Sequence, residues 1–143
     1  MFIGQYSYRI DEKGRLPLPP PFRLRLKDGV VLFPGAEKCI NVYPWAEWKK
    51  LADSLTSSAM TRSKMRRLNR AIFAGAFSEA MDGQGRIALP APLRTYAGIG
   101  DDVVVAGVNS YLELWNKADW DAEQATDLSQ AWQIIESLEP PGE

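Results

Sequence analysis

Two arginines stand at matched positions, each inside the same short phrase. DEKGRLPLPPPFR runs from residue 11 to 23 and DGQGRIALPAPLR from 82 to 94. Each phrase sets Asp, Gly and Arg at one spacing: Asp11, Gly14 and Arg15, then Asp82, Gly85 and Arg86. A guanidinium is a flat fork of donors that grips a carboxylate, a phosphate or the edge of guanine with two hydrogen bonds. Its plainest use here is to pair with the Asp four residues back and brace a turn. That use leaves the basic company of the first phrase, Arg9, Lys13, Arg23 and Arg25, without a role. A two-stranded ribbon carrying Arg fits a DNA major groove. The residues therefore favour double-stranded DNA as partner, with Arg15 and Arg86 on base edges and Lys13 and Arg9 on phosphates. Asp11, Gly14, Asp82 and Gly85 would hold those arginines in position.

Other chemistry is scarce. The chain has no histidine and one cysteine, Cys39. Ser-His-Asp and Cys-His hydrolysis are excluded, and so is a structural zinc site. Asp101 and Asp102 are adjacent at a strand entry, so their side chains diverge. Asp11 and Asp82 sit in turns, too exposed to act as a desolvated carboxylate pair. No Gly-rich phosphate loop follows a strand. The expectation is a protein that is not an enzyme and has no catalytic residue, metal or cofactor. Cys39 alternates with Asn41 and Tyr43 and reads as a small buried or half-buried strand residue.

Composition agrees with a binding role. The net charge is −1, but it is unevenly spread. Residues 1–94 hold 16 Lys and Arg against 8 acids; residues 95–143 hold Lys117 against 10 acids. A basic surface is thus available in an acidic protein. No apolar run approaches the roughly 20 residues of a membrane span, and no secretory pattern opens the chain. With a lone cysteine, the expected setting is the reducing cytoplasm.

The phrases belong to a longer duplication. A shift of 71 carries Asp11, Gly14, Arg15, Leu18, Pro19 and Arg23 onto Asp82, Gly85, Arg86, Leu89, Pro90 and Arg94. VVLFPG at 30–35 is answered by VVVAG at 103–107, and CINVYPWAEW at 39–48 by YLELWNKADW at 111–120. Each unit reads as ββαββα with an antiparallel sheet. A short strand enters an Asp-x-x-Gly turn, expected as type I closed by a G1 bulge. A return strand completes a hairpin, and prolines open a helix. Two strands follow, and then short helices begin at Pro44 and Asn116, carrying Trp48 and Trp120 as packing residues. Neither unit is long enough to bury a core alone. The expected fold is α+β, two repeats in one small double-unit barrel with peripheral helices. The units are placed at 4–54 and 75–122, a basic connecting helix at 55–74, and an acidic helix and tail at 123–143. TRSKMRRLNR at 61–70 would set Arg62, Arg66 and Arg70 on one helical stripe and Met65, Leu68 and Ile72 on the opposite one. QAWQIIESL would be an amphipathic helix for packing or assembly, and the closing PPGE would fray.

MFIGQYSYRIDEKGRLPLPPPFR closely resembles the opening of the MraZ proteins, and DGQGRIALPAPLRTYAGI with VVVAGVNSYLELWNKADW resembles their second half. The likeness runs from Met1 to about residue 122. It implies tandem SpoVT-AbrB units and a bacterial transcriptional regulator, a repressor. It further implies short repeated boxes upstream of the division and cell-wall gene cluster, the protein's own promoter included. A ring of eight or more subunits, associated with the nucleoid, would read them. The family's Asp-x-x-x-Arg motif falls on Asp11 and Arg15, and on Asp82 and Arg86. This chain has Tyr8 where the family often has His, three prolines at 19–21 where one is usual, and Gln84 where Lys is frequent. The other readings to weigh are a ring-forming scaffold without operator reading, and an AbrB-type antitoxin-like partner.

Overall fold

Strands form where branched and aromatic residues cluster, and they stop at Gly and Pro. The computed structural model describes residues 1–138. Its strands are β1 (Gln5–Arg9), β2 (Arg15–Pro17), β3 (Val30–Pro34), β4 (Ile40–Pro44), β5 (Phe77–Glu79), β6 (Arg86–Ala88), β7 (Asp102–Gly107) and β8 (Leu112–Asn116). Six of them form one antiparallel sheet in the order β1-β7-β8-β4-β3-β5, and β2 pairs with β6 in a separate ribbon.

This pairing corrects the expected hairpins. β1 does not return onto β2; it pairs along its whole length with β7 of the second repeat. Reciprocally, β5 of the second repeat pairs with β3 of the first. The repeats therefore exchange their first strands. β4 meets β8 with Asn41 opposite Glu113, and β2 meets β6 with Leu16 opposite Ile87. Both crossings pair equivalent residues, so a pseudo-two-fold axis runs through both sheets. The physical reason lies in what each strand must bury. A hairpin from β1 to β2 would hold both strands in one layer. Sending β2 to the opposite layer lets Leu16, Leu18, Ile87 and Leu89 face the six-stranded sheet across a shared interior. Full burial of such a side chain stabilises by roughly 1.5–3 kcal/mol, which a flat hairpin would forgo.

The core lies between the two layers. Val30, Leu32, Ile40, Val42, Val103, Val105, Leu112 and Leu114 come from the sheet, and all are essentially inaccessible. Pro20 and Pro21 open a short 3₁₀ turn, Pro20–Phe22, that runs into α1 (Arg23–Leu26). Pro92 sits in the first turn of α4 (Ala91–Ala97). Proline suits that place because its missing N–H has no helical partner there. Phe22, Leu26, Leu93 and Ala97 plug the ends of the core.

The outer face of the sheet carries the remaining helices. α2 (Trp45–Thr56) lays Trp48 on Phe33, ring centroids 5.1 Å apart. α5 lays Trp120 on Trp115 at 5.8 Å. Both tryptophans are half-buried in these outer clusters, apart from the main core. α5 (Lys117–Ser137) is one continuous 21-residue helix rather than a short one followed by a second. α3 (Arg62–Leu68) continues as a π-helical turn over Asn69–Phe73. The terminal PPGE lies outside the described residues.

Candidate nucleic-acid interface

Each Asp-x-x-Gly-Arg phrase folds into the same closed turn. In the first, Gly14 N–H donates to Asp11 O at 3.0 Å, and Asp11 N–H donates to Arg15 O at 2.9 Å. Gly14 takes φ 76° and Gly85 φ 75°. This is the expected turn with its bulge, and a Cβ at either position would be strained. Asp11 Oδ1 accepts from the backbone N–H of Lys13 and of Arg15, both at 2.9 Å, and Asp11 Oδ2 accepts from Arg15 Nε at 2.7 Å. Asp82 repeats the set, with Gln84 N–H at 2.9 Å, Arg86 N–H at 3.0 Å and Arg86 Nε at 2.8 Å. The backbone N–H of Arg15 is the main reason Asp11 sits below the ordinary carboxylate pKa of 3.8; burial opposes it, and the Arg15 guanidinium and the N–H of Lys13 add to the lowering. Asp82 is lowered in the same way, led by the backbone N–H of Arg86.

β2 and β6 then bring the two turns side by side. Their register sets Arg15 opposite Ala88 and Pro17 opposite Arg86. Side chains alternate along a strand. Leu16 and Ile87 point into the core, so Arg15, Pro17, Arg86 and Ala88 share the outer face. The two guanidinium groups, about a third and a quarter exposed, stand diagonally across one ribbon with small side chains between them. Arg86 Nη1 also comes within 3.8 Å of Asp11 Oδ2, which ties one repeat's arginine to the other's aspartate.

The basic neighbours divide into two groups. Lys13 is exposed at the tip of the first turn. Arg9 ends β1 and makes an exposed 3.4 Å pair with Asp101, worth no more than about 1 kcal/mol. Arg23 and Arg25 have structural uses instead. Arg25 stacks its guanidinium 4.3 Å above the ring of buried Phe2. Arg23 Nε donates to Leu18 O at 2.8 Å, and Arg94 Nε donates to Leu89 O at 3.0 Å. These two arginines cross the axis: Arg23 lies against Gly85, and Arg94 lies against Gly14, 3.4 Å from where a Cβ would be. Leu18 N–H bonds Gly85 O and Leu89 N–H bonds Gly14 O, at 2.9 and 2.8 Å. This lock under the ribbon was not read from the sequence, although Arg23 and Arg94 fall on one repeat position.

Away from the ribbon, Cys39 is fully buried and its thiol donates weakly to Asn41 Oδ1 at 3.9 Å. Burial, with Glu113 and Glu37 nearby, pushes the thiol up to about 12, so it packs as a neutral group. Glu113 itself is raised by burial and accepts from Trp115 Nε1 at 3.1 Å. No helix among the described residues is long and apolar enough to cross a membrane.

The comparisons with known proteins meet this geometry at the repeat. The family model described as "MraZ protein, putative antitoxin-like" matches twice in tandem, over residues 1–71 and 72–134. Proteins named "Transcriptional regulator MraZ" from two strains of Dehalococcoides mccartyi are 60% and 57% identical over 140 residues. Those alignments cover 97% of this chain and 99% of each relative. One of the same name from Frankia alni is 44% identical, covering 98% of both chains. A doubled family match on a doubled turn, with identity sustained along nearly the whole length, means that the chain belongs to the MraZ family.

Proposed function

We propose that this chain is a DNA-binding transcriptional regulator whose reading surface is the β2–β6 ribbon. The observation that carries this is the pair of arginines on the ribbon's outer face, each fixed at Nε by its own aspartate. With Nε engaged, the terminal amino groups remain as donors, and Arg86 Nη1 also lies 3.8 Å from Asp11 Oδ2. Those amino groups are the two donors that guanine O6 and N7 accept in the major groove, whose roughly 12 Å width admits a two-stranded ribbon. Fixing a long side chain in advance lowers the entropy lost on binding. Lys13 and Arg9 flank the ribbon and contact phosphates. The names of the relatives support the regulatory role. The role is one of binding rather than catalysis, exercised in the cytoplasm on the nucleoid.

In this reading the six-stranded sheet and the ribbon are the walls of one double-unit barrel. One ribbon reads one short box weakly. Several ribbons on a ring of eight or more subunits read repeated boxes tightly through effective concentration. The boxes lie upstream of the division and cell-wall gene cluster, including the protein's own promoter, and occupancy represses.

Fluorescence anisotropy on the DNA upstream of the gene, against a scrambled duplex at two salt concentrations, tests this. Wild type prefers the upstream DNA, and Arg15→Ala or Arg86→Ala removes that preference while folding and assembly persist. Equal binding of both duplexes by all three proteins, varying only with salt, would instead describe a scaffold with a basic face.

A further inference from the structure

The lock beneath the ribbon joins each reading arginine to the opposite repeat. The peptide between Gly85 and Arg86 is held at both of its polar ends. Its N–H donates to Asp82 Oδ1 at 3.0 Å, within the second repeat, and its C=O accepts from Leu18 N–H at 2.9 Å, from the first. The peptide between Gly14 and Arg15 is held in the mirror way. Its N–H donates to Asp11 Oδ1 at 2.9 Å, and its C=O accepts from Leu89 N–H at 2.8 Å. A peptide unit is planar, so fixing its oxygen and its N–H together orients the next Cα and the side chain on it. That side chain is Arg86 in one case and Arg15 in the other.

Arg23 and Arg94 secure the inter-repeat half of each clamp. Arg23 Nε donates to the O of Leu18, the residue whose N–H holds Gly85 O. The same guanidinium fills the space that a Cβ at Gly85 would take. One planar group therefore touches both partners of the Leu18–Gly85 bond. Arg94 does the same for Leu89 and Gly14, less tightly, since its Nη2 stands 3.4 Å from the Cβ position. Each rides on a short helix rooted in the core, Arg23 between Phe22 and Leu26, and Arg94 between Leu93 and Ala97.

We propose that Arg23 and Arg94 are positioning residues for base reading, and that they work in crossed pairs. Arg23 of the first repeat aims Arg86 of the second, and Arg94 of the second aims Arg15 of the first. The proposal rests on the ribbon reading given above and deepens it: neither repeat aims its arginine alone, so the two form one reading unit. Pre-fixing the reader in this way lowers the entropy lost on binding. An Arg→Lys change separates aim from charge. It keeps the positive charge that a phosphate contact would use and removes the planar Nε–H donor.

Double-mutant cycles test the pairing, read by anisotropy on the upstream duplex at low salt, where a variant with one reader still binds measurably. Arg23→Lys is made alone, with Arg15→Ala and with Arg86→Ala, and thermal melts confirm folding. Residues in one hydrogen-bonded network couple by roughly twofold to a hundredfold. Arg23→Lys alone is expected to weaken operator binding several-fold. The same loss is expected on top of Arg15→Ala, and none on top of Arg86→Ala. Arg94→Lys is expected to give the mirror pattern, and it stands in where Arg23→Lys does not fold. Equal losses in all three backgrounds would describe a merely structural arginine and overturn the proposal. So would a loss that vanishes with Arg15→Ala, or no loss at all. Those outcomes leave the ribbon as the reader. If Arg15→Ala and Arg86→Ala themselves bind the operator like wild type, the ribbon reading falls and the crossed pairs fall with it.

Discussion

The two Asp-x-x-Gly-Arg turns agree within 0.1 Å in each of their three aspartate hydrogen bonds, yet their surroundings differ. The first has Arg9 and Lys13 beside it; the second has Ala80 and Gln84 at the equivalent places. The second arginine also feels Asp11, whereas Arg15 has no second carboxylate partner among the described residues. The second glycine is the tighter one, since a Cβ there would run into the bonded guanidinium of Arg23. The frame that aims the arginine has been held, and the charge around it has drifted. Backbone geometry thus decides where the donors sit, and the flanks decide how much positive charge surrounds them.

The largest expected effect is at the glycines. Forcing a residue with a Cβ into the left-handed region costs about 1–2 kcal/mol, so Gly14→Ala lowers unfolding stability by that amount in urea titrations. Gly85→Ala also displaces Arg23 from Leu18 O, a hydrogen bond worth about 1 kcal/mol, and loses roughly 2–3 kcal/mol in all. Equal losses at the two sites would break the comparison. Next come the readers. Arg15→Ala and Arg86→Ala each weaken operator binding by about 1–3 kcal/mol in anisotropy, Arg15→Ala the more, because Arg86 is shared with Asp11. Smaller still is Lys13→Ala. It should cost under about 1 kcal/mol, alike on operator and scrambled DNA, and reduce the salt slope by about one. Gln84→Lys, which gives the second turn the first one's charge, should gain a similar amount. The smallest effect is in acid. Both aspartates have folded pKa values below 3.8, so the stability they contribute is fully present above that value. It is lost as pH falls through the lowered folded values. Asp11→Asn and Asp82→Asn should flatten the same part of a stability–pH curve.

Much of the turn was legible because its chemistry is local. An Asp two residues before an N–H and a Gly ahead of the bulge specify the loop whatever surrounds it. The partners of the strands were not legible in the same way. β1 and β5 are equivalent, as are β3 and β7, so the residues that could pair within a repeat are those that pair between repeats. Only the three-dimensional gain from placing Leu16 and Ile87 opposite the sheet separates the two arrangements. Charge alone makes Arg23 and Arg25 look like mere basic company of the first turn. The recurrence of Arg23 as Arg94 was the signal that one of them answered to the fold. The length of α5 was readable too, since no Gly or Pro interrupts Lys117 to Ser137. A repeat boundary at residue 122 divides it in two, although nothing in the helix itself does.

The exchanged strands bear on how the protein is made. β1 leaves the ribosome first, yet its partner β7 begins at Asp102. At about 5–20 residues per second, the first repeat waits several seconds with β3 lacking β5 and β1 lacking β7. An open edge of that kind pairs with any matching strand nearby, and on a polysome the nearest one belongs to another nascent copy. Synthesis of the second repeat on the same chain puts the correct partner at the highest local concentration. Covalent duplication thus favours the correct strand pairing while the chain is being made.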